Sequence, residues 1–248
     1  MRIHSIAFGA IFLTITGIGT AHGVVVADSI AEFSNIQGQD SWTYGVFVAG
    51  TDASALTPYS TAGFQHFDDF DIVGNNWLAS DALVGAQNNA FLNLGATGAH
   101  PTGLEPGAQD TIIWAVRRYE SEVAGLYDLN IDLKKINLDN PVGGGITGRI
   151  FLDPTEIFMQ FIPNDDNIRV QLKLLVDLEV GSFIDFTIDP TGVTPSLGGG
   201  GGDGIYSARA DRSHFAVIVE TPTIVPLPGA MLLLLPALGI LGGLGRRR

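Results

Sequence analysis

Two glutamates, Glu120 and Glu122, stand two residues apart at the end of an apolar run. On a strand, that spacing puts both carboxylates on one face about 7 Å apart. Retaining glycosidases hold their acid and nucleophile ~5 Å apart and inverting ones ~6.5–9.5 Å, so the pair is admissible for glycoside hydrolysis. Arg117 and Arg118 lie close enough in sequence to neutralise it, as on an ordinary strand surface. Asp128, Asn130 and Asp132 imitate the start of a calcium loop, but Leu133 stands where such a loop needs glycine and no glutamate closes it. The polar face of a strand explains them better. A calcium site assembled in space from scattered carboxylates such as Asp28, Glu32, Asp203 or Asp211 is compatible with so acidic a chain. No Gly-x-Ser-x-Gly elbow, His-Glu-x-x-His pair or phosphate loop occurs.

Aromatic rings offer a different chemistry. Sugars are held by flat apolar rings against their C–H faces, with amides or carboxylates on their hydroxyls. Trp77 follows Gly74-Asn75-Asn76 in a loop-like stretch and is the best exposed platform, with Asn75 and Asn76 supplying amides. Trp42, with Tyr44 two residues on and Gln39 close by, is a second candidate. Trp42 and Trp114 lie in strand-like segments, which favours the core for both. His100 precedes Pro101 and reads as a hydrogen-bonded turn histidine.

Strands must position these groups. From Ile168 to Val180 the apolar Ile168, Val170, Leu172, Leu174, Val176, Leu178 and Val180 alternate with Arg169, Gln171, Lys173, Asp177 and Glu179, and Leu175 is the exception. A period of two held that long has no helical reading. Tyr127, Leu129, Ile131 and Leu133 alternate likewise, as do Ile146, Ile150 and Leu152; Ile184, Phe186 and Ile188; and Phe215, Val217 and Val219. Turn residues separate these runs at Asp139-Asn140-Pro141, Asp153-Pro154, Pro163 to Asn167 and Asp189-Pro190. The pattern predicts an all-β, antiparallel two-sheet sandwich. Residues 51–80 and 85–109 read as long loops, and Gly198 to Gly202 as a loop or inserted tip.

The ends read differently. Arg2 and His4 precede an apolar stretch from Ile6 to Ile18 with small residues after it, the pattern of a secretory signal peptide cleaved after Gly23 or after Ala27. At the other end an apolar run from Gly229 to Gly245 is followed by Arg246, Arg247 and Arg248. It is just long enough to span a bilayer with its basic end cytoplasmic. The expected division is a signal peptide over 1–27, one β-sandwich ectodomain over 28–221, and a terminal segment with a transmembrane helix over 222–248. The ectodomain would keep all 26 acids but only 9 of the 13 lysines and arginines, a charge of about −17, which excludes nucleic acid as a partner. With no cysteine, an exported domain does without disulfides, and thiolate and thiol-redox chemistry are excluded.

Val225-Pro226-Leu227-Pro228, the short apolar helix and the arginine tail together resemble the PEP-CTERM sorting signal of exosortase-processed bacterial proteins, with Leu227 where glutamate is usual. The resemblance implies that a membrane exosortase cuts near this tetrapeptide and releases or re-anchors the domain outside the cell. The segments Asp28 to Ser34, Gln37-Gly38-Gln39, Trp42-Thr43-Tyr44-Gly45, His100-Pro101, Ala115 to Tyr119 and Gly145 to Phe151 resemble the jelly-roll ectodomains common in PEP-CTERM proteins. These imply a fold of the carbohydrate-binding-module kind with no enzymatic activity. The expected protein is thus an exported, non-enzymatic envelope or matrix component that associates with exopolysaccharide through Trp77, Asn75, Asn76, Trp42 and Tyr44. Its rivals are a secreted glycoside-acting enzyme using Glu120 and Glu122, and a structural matrix protein without a specific ligand.

Overall fold

The computed structural model describes residues 23–51, 56–84, 92–102, 111–136, 145–163, 168–191 and 212–222. Every strand pairing among them is antiparallel. The signal-peptide stretch to residue 22, the sorting segment 223–248, Gly198 to Gly202, Asp203 and Asp211 lie outside the described residues.

The larger sheet is built on β1 (Val25–Asp28), β4 (Asp69–Asp71), β5 (Asn76–Leu78), β6 (Asn93–Gly95), β7 (Gly98–His100), β9 (Gly125–Lys135), β12 (Arg169–Leu178) and β14 (Ser213–Glu220). It runs β12-β9-β14-β7-β6-β5-β4, with β1 also on β14. The smaller sheet is built on β2 (Trp42–Gly50), β3 (Phe64–His66), β8 (Ile112–Glu120), β10 (Ile146–Leu152), β11 (Thr155–Ile162) and β13 (Phe183–Asp189). Its order is β11-β10-β13-β8-β2-β3.

The alternation predicted from sequence supplies the inner faces. Leu129, Ile131 and Leu133 of β9 and Phe215, Val217 and Val219 of β14 enter one core with Ile146 and Ile150 of β10 and Ile184, Phe186 and Ile188 of β13. The Phe186 and Phe215 rings meet edge to face at 5.9 Å, joining the two sheets. The approach is close enough that a Cβ on Gly148 would run into the Leu133 side chain of the opposite sheet, which would have to shift within the core to admit it.

Two expectations need correction, and one strand appears that periodicity did not mark. The stretches 51–80 and 85–109 contain β3 to β7 rather than loop alone; strands of three residues are too short for a period of two to show. β11 carries no clean alternation, and a register shift between Ile150 and Phe151 breaks its pairing with β10. Ile168 and Val180, placed on the apolar face by periodicity, lie beyond the ends of β12 and are exposed.

Candidate functional site

The proposed platform is not on the surface. Trp77 is 6 % exposed, its indole N–H donates to the Ser34 carbonyl at 2.9 Å, and its ring packs against Tyr44 and edge-on against Phe70. Asn75 is exposed with φ 52°, and Asn76 begins β5, so the amides turn outward while the indole turns in. Period-two geometry explains the inversion: Trp77 is the central, inward residue of a strand that the sequence disguised as loop. Trp42 and Tyr44 are fully buried on the inner face of β2, and the Trp42 N–H donates to Glu32 at 2.8 Å. These rings anchor the core.

The two glutamates do not share one strand face. Glu120 ends β8, whereas Glu122 lies beyond the strand, past buried Ser121, and accepts a 2.6 Å hydrogen bond from the Ser41 hydroxyl. Neither arginine neutralises the pair. The Arg117 side chain enters the core, and Arg118 pairs with Asp185 on the outer face of the smaller sheet. His100 is buried, with Nδ1 2.8 Å from the Pro101 carbonyl. Asp28 and Glu32 are engaged in the turn after β1: the Asp28 carboxylate accepts from the Ile30 and Ala31 amides, and Glu32 accepts from the Asp28 amide. Among the described residues no group of three or more His, Cys, Asp or Glu side chains is placed to share a metal ion.

An open groove of about 700 Å³ lies on the outer face of the larger sheet. Register builds it. Gln171, Asp132 and Ala216 face outward in one row across β12, β9 and β14, and Lys173, Asn130, Ile218 and Asp28 form the next row. Ala216 and Ile218 make an aliphatic floor; Ile30 and Ala31 of the turn after β1 make one wall. Arg117 holds that wall from behind. Its guanidinium, from the smaller sheet, donates to the Ser29 carbonyl in the wall turn at 2.9 Å and to the Gly95 and Ala96 carbonyls where β6 turns into β7. Burial without a carboxylate contact lowers its pKa to about 10, and the group stays charged at neutral pH.

The groove's charged groups are paired but wet. Lys173 bridges Asp128 at 3.2 Å and Glu220 at 2.8 Å, and Asp132 accepts from Arg169 and meets His214 at 3.3 Å. The Arg169 hydrogen bond holds Asp132 below the ordinary carboxylate pKa, and the Lys173 and Asn130 hydrogen bonds do the same for Glu220. A carboxylate so stabilised in its charged form is a poor proton donor at neutral pH. Gln171 is exposed at the groove, and its amide makes no hydrogen bond to the described residues.

Asp128, Asn130 and Asp132 were thus read correctly as the polar face of a strand. The missed feature is that the polar face of 168–180 lies beside theirs. Each face was visible as alternation, but their adjacency was not.

No family model matches this chain, and no curated protein matches it. Several solved structures are similar in part. The M60 catalytic domain with two CBM51 domains from Clostridium perfringens ZmpB is 13 % identical with a TM-score of 0.30, and the match covers 50 % of this chain and 12 % of that one. The CBM51 of C. perfringens GH95 in complex with methyl-galactose is 14 % identical over 49 % of this chain and 79 % of that one, TM-score 0.28. The C-terminal CBM6 of the laminarinase LamC from Zobellia galactanivorans is 10 % identical over 53 % and 94 %, TM-score 0.26. At such scores the likeness carries no inference about this chain, and its own side chains must supply the reading.

Proposed function

We propose that this chain is an exported, non-enzymatic β-sandwich protein that binds polysaccharide in the groove on its larger sheet. The observation that carries this reading is the groove itself. An aliphatic floor of Ala216 and Ile218 is flanked by the Gln171 amide and by Asn130, Asp132 and Lys173. Aliphatic surface accepts the C–H faces of a pyranose, and amide, carboxylate and ammonium groups exchange hydrogen bonds with its hydroxyls. Aromatic rings, expected from sequence to supply the platform, have no part in this groove. An open trough on a sheet face suits a chain segment better than a small molecule, which pockets bury on most sides.

Affinity electrophoresis of the full-length protein through gels containing defined polysaccharides tests the proposal. Retardation by at least one polysaccharide, weakened by Gln171→Ala and Asn130→Ala and unchanged by Asn75→Ala, is the expected result. Retardation indifferent to both groove substitutions would place the site elsewhere and sink the reading.

Delivery is the second half of the proposal. The Val225-Pro226-Leu227-Pro228 tetrapeptide, the apolar run and the three terminal arginines support export followed by exosortase processing. Mass spectrometry of the protein recovered from its cells should find the C-terminus near Pro228. Recovery of a cytosolic chain still ending in Arg248 would overturn this half and leave the groove untouched.

A further inference from the structure

Antiparallel sheets end in strands whose outer backbone groups have no partner, and proteins blunt such edges by shortening, bulging or charging them. Among the described residues four of the five edges are blunted: β1 has four residues and an irregular register on β14, β3 and β4 have three residues each, and β11 is broken by its register shift. β12 is different. It runs ten residues, pairs with β9 in unbroken register from Arg169 to Leu178, and contains neither proline nor glycine. Its inward side chains, Val170, Leu172, Leu174, Val176 and Leu178, include no charge. Its other edge bonds to none of the described residues.

The outward side chains say what fits there. Basic residues occupy the first half of the strand and acids the second and the turn beyond: Arg169 and Lys173, then Asp177 and Glu179. Leu175 between them is 61 % exposed, and Val180 just past the strand is 70 % exposed. A strand of that pattern is complementary to itself run antiparallel. We propose that two copies of the chain pair through β12 about a two-fold axis at Leu175, so that the larger sheet continues from one copy into the other.

This register sets no like charges opposite each other: Gln171 meets Glu179, and Arg169, opposite Gly181, keeps its ion pair with Asp132. Leu175 meets Leu175, Lys173 meets Asp177 on both sides of the axis, and the exposed Val180 is brought toward Val170. An axis at Lys173 would oppose two ammonium groups, and one at Leu174 would set Lys173 against Leu175. Opposite charges directly across a sheet stabilise it and like charges destabilise it. The pairing also carries the groove rim at Gln171 and Lys173 up to the two-fold, so the two copies present their grooves on one continuous sheet face.

The chain has no cysteine, so a single introduced thiol reports the axis directly. Facing Cα atoms in an antiparallel pair are about 4.5 or 5.5 Å apart, within the reach of a disulfide. Full-length Leu175→Cys should therefore form a disulfide-linked dimer under mild oxidation, about tenfold or more faster than Gln171→Cys, because pairing presents the thiols at high effective concentration. Both positions are exposed, so neither substitution disturbs folding. Adding Asp177→Lys to the Leu175→Cys chain sets lysine against Lys173 and should slow the cross-link to the Gln171→Cys rate. Equal rates for the two single cysteines, as association through the apolar terminal run would produce, overturn the proposal. So does a monomer mass at every concentration in sedimentation.

Discussion

The two outer faces of this sandwich treat charge in opposite ways. On the larger sheet Lys173, Asp128, Glu220, Arg169 and Asp132 form ion pairs at the surface, over an open trough. On the smaller sheet the pairs made by Asp185 and Asp189 are closed in, and the Arg149–Glu156 pair at 2.7 Å lies at their rim. Arg118 makes a bidentate contact with Asp185 at 2.7 and 2.9 Å, Tyr59 donates to the same carboxylate at 2.6 Å, and Phe64 and Phe183 stack on the guanidinium. Arg149 reaches Asp189 at 3.0 Å with its guanidinium over the Trp114 ring, and Tyr59 stacks on both Trp114 and Phe151. Asp185 and Asp189 have no exposed surface.

Only a satisfied, well-oriented ion pair survives burial, whereas an exposed one contributes little and remains available to a ligand. The smaller sheet's outer face is therefore a second core, cemented by charge, and the larger sheet's outer face is the one left open, where the proposed groove lies. One detail marks the closed side. The Trp114 indole N–H and the Thr187 hydroxyl are buried there without hydrogen-bond partners among the described residues.

By that contrast, the largest loss of stability follows Asp185→Ala. Stripping the carboxylate leaves buried Arg118 and the Tyr59 hydroxyl without their partner, and denaturant unfolding should report a loss of about 3–5 kcal/mol. Tyr59→Phe keeps the ring stack but removes one hydrogen bond to a charged acceptor, which costs about 1.5–3 kcal/mol in the same measurement.

Acid sharpens the comparison by sign. Asp132 and Glu220 have depressed pKa values in the fold, so the stability they contribute is full above the ordinary carboxylate range and is lost as pH falls through their lowered values. Burial, opposed by Arg149 and Thr191, raises the pKa of Asp189. Its protonation therefore favours the fold as pH falls through that raised value toward the ordinary one. Unfolding followed from pH 6 downward should show Asp132→Asn softening the acid loss and Asp189→Asn steepening it. Added salt should shrink only the first effect, since exposed pairs are screened and buried ones are not. A common direction for both variants would erase the distinction between the faces.

The smallest change in stability belongs to the groove. Gln171→Ala should shift unfolding by no more than about 0.5 kcal/mol. It should nonetheless weaken polysaccharide retention about three- to tenfold, the worth of one hydrogen bond. A substitution silent in stability and loud in binding is the signature of a working surface.

Much of the architecture was legible because a strand writes its burial into its own residues. Leu129, Ile131 and Leu133, or Val170, Leu172 and Leu174, announce an inner face wherever the strand is long enough to repeat. Three-residue strands such as β5 leave no period, and for that reason Trp77 read as loop and turned out to be core. The double burial of β8 was hidden for another reason. An inner face of Ile113, Ala115 and Tyr119 and an outer face of Ile112, Trp114 and Val116 are both covered, so no polar alternation remains to read.

By itself, then, the sequence determined what is local: the strand class, the inward residues of the long strands, the absence of cysteine chemistry and the sign of the charge. Tertiary structure alone decided which polar faces became neighbours. Asn130 and Asp132 meet Gln171 and Lys173, and Asp28 joins Ile218, through pairings between segments far apart in the chain. Periodicity constrains a residue's direction relative to its own strand, whereas adjacency is set by how whole sheets bury their apolar sides together, and no stretch of sequence encodes that alone.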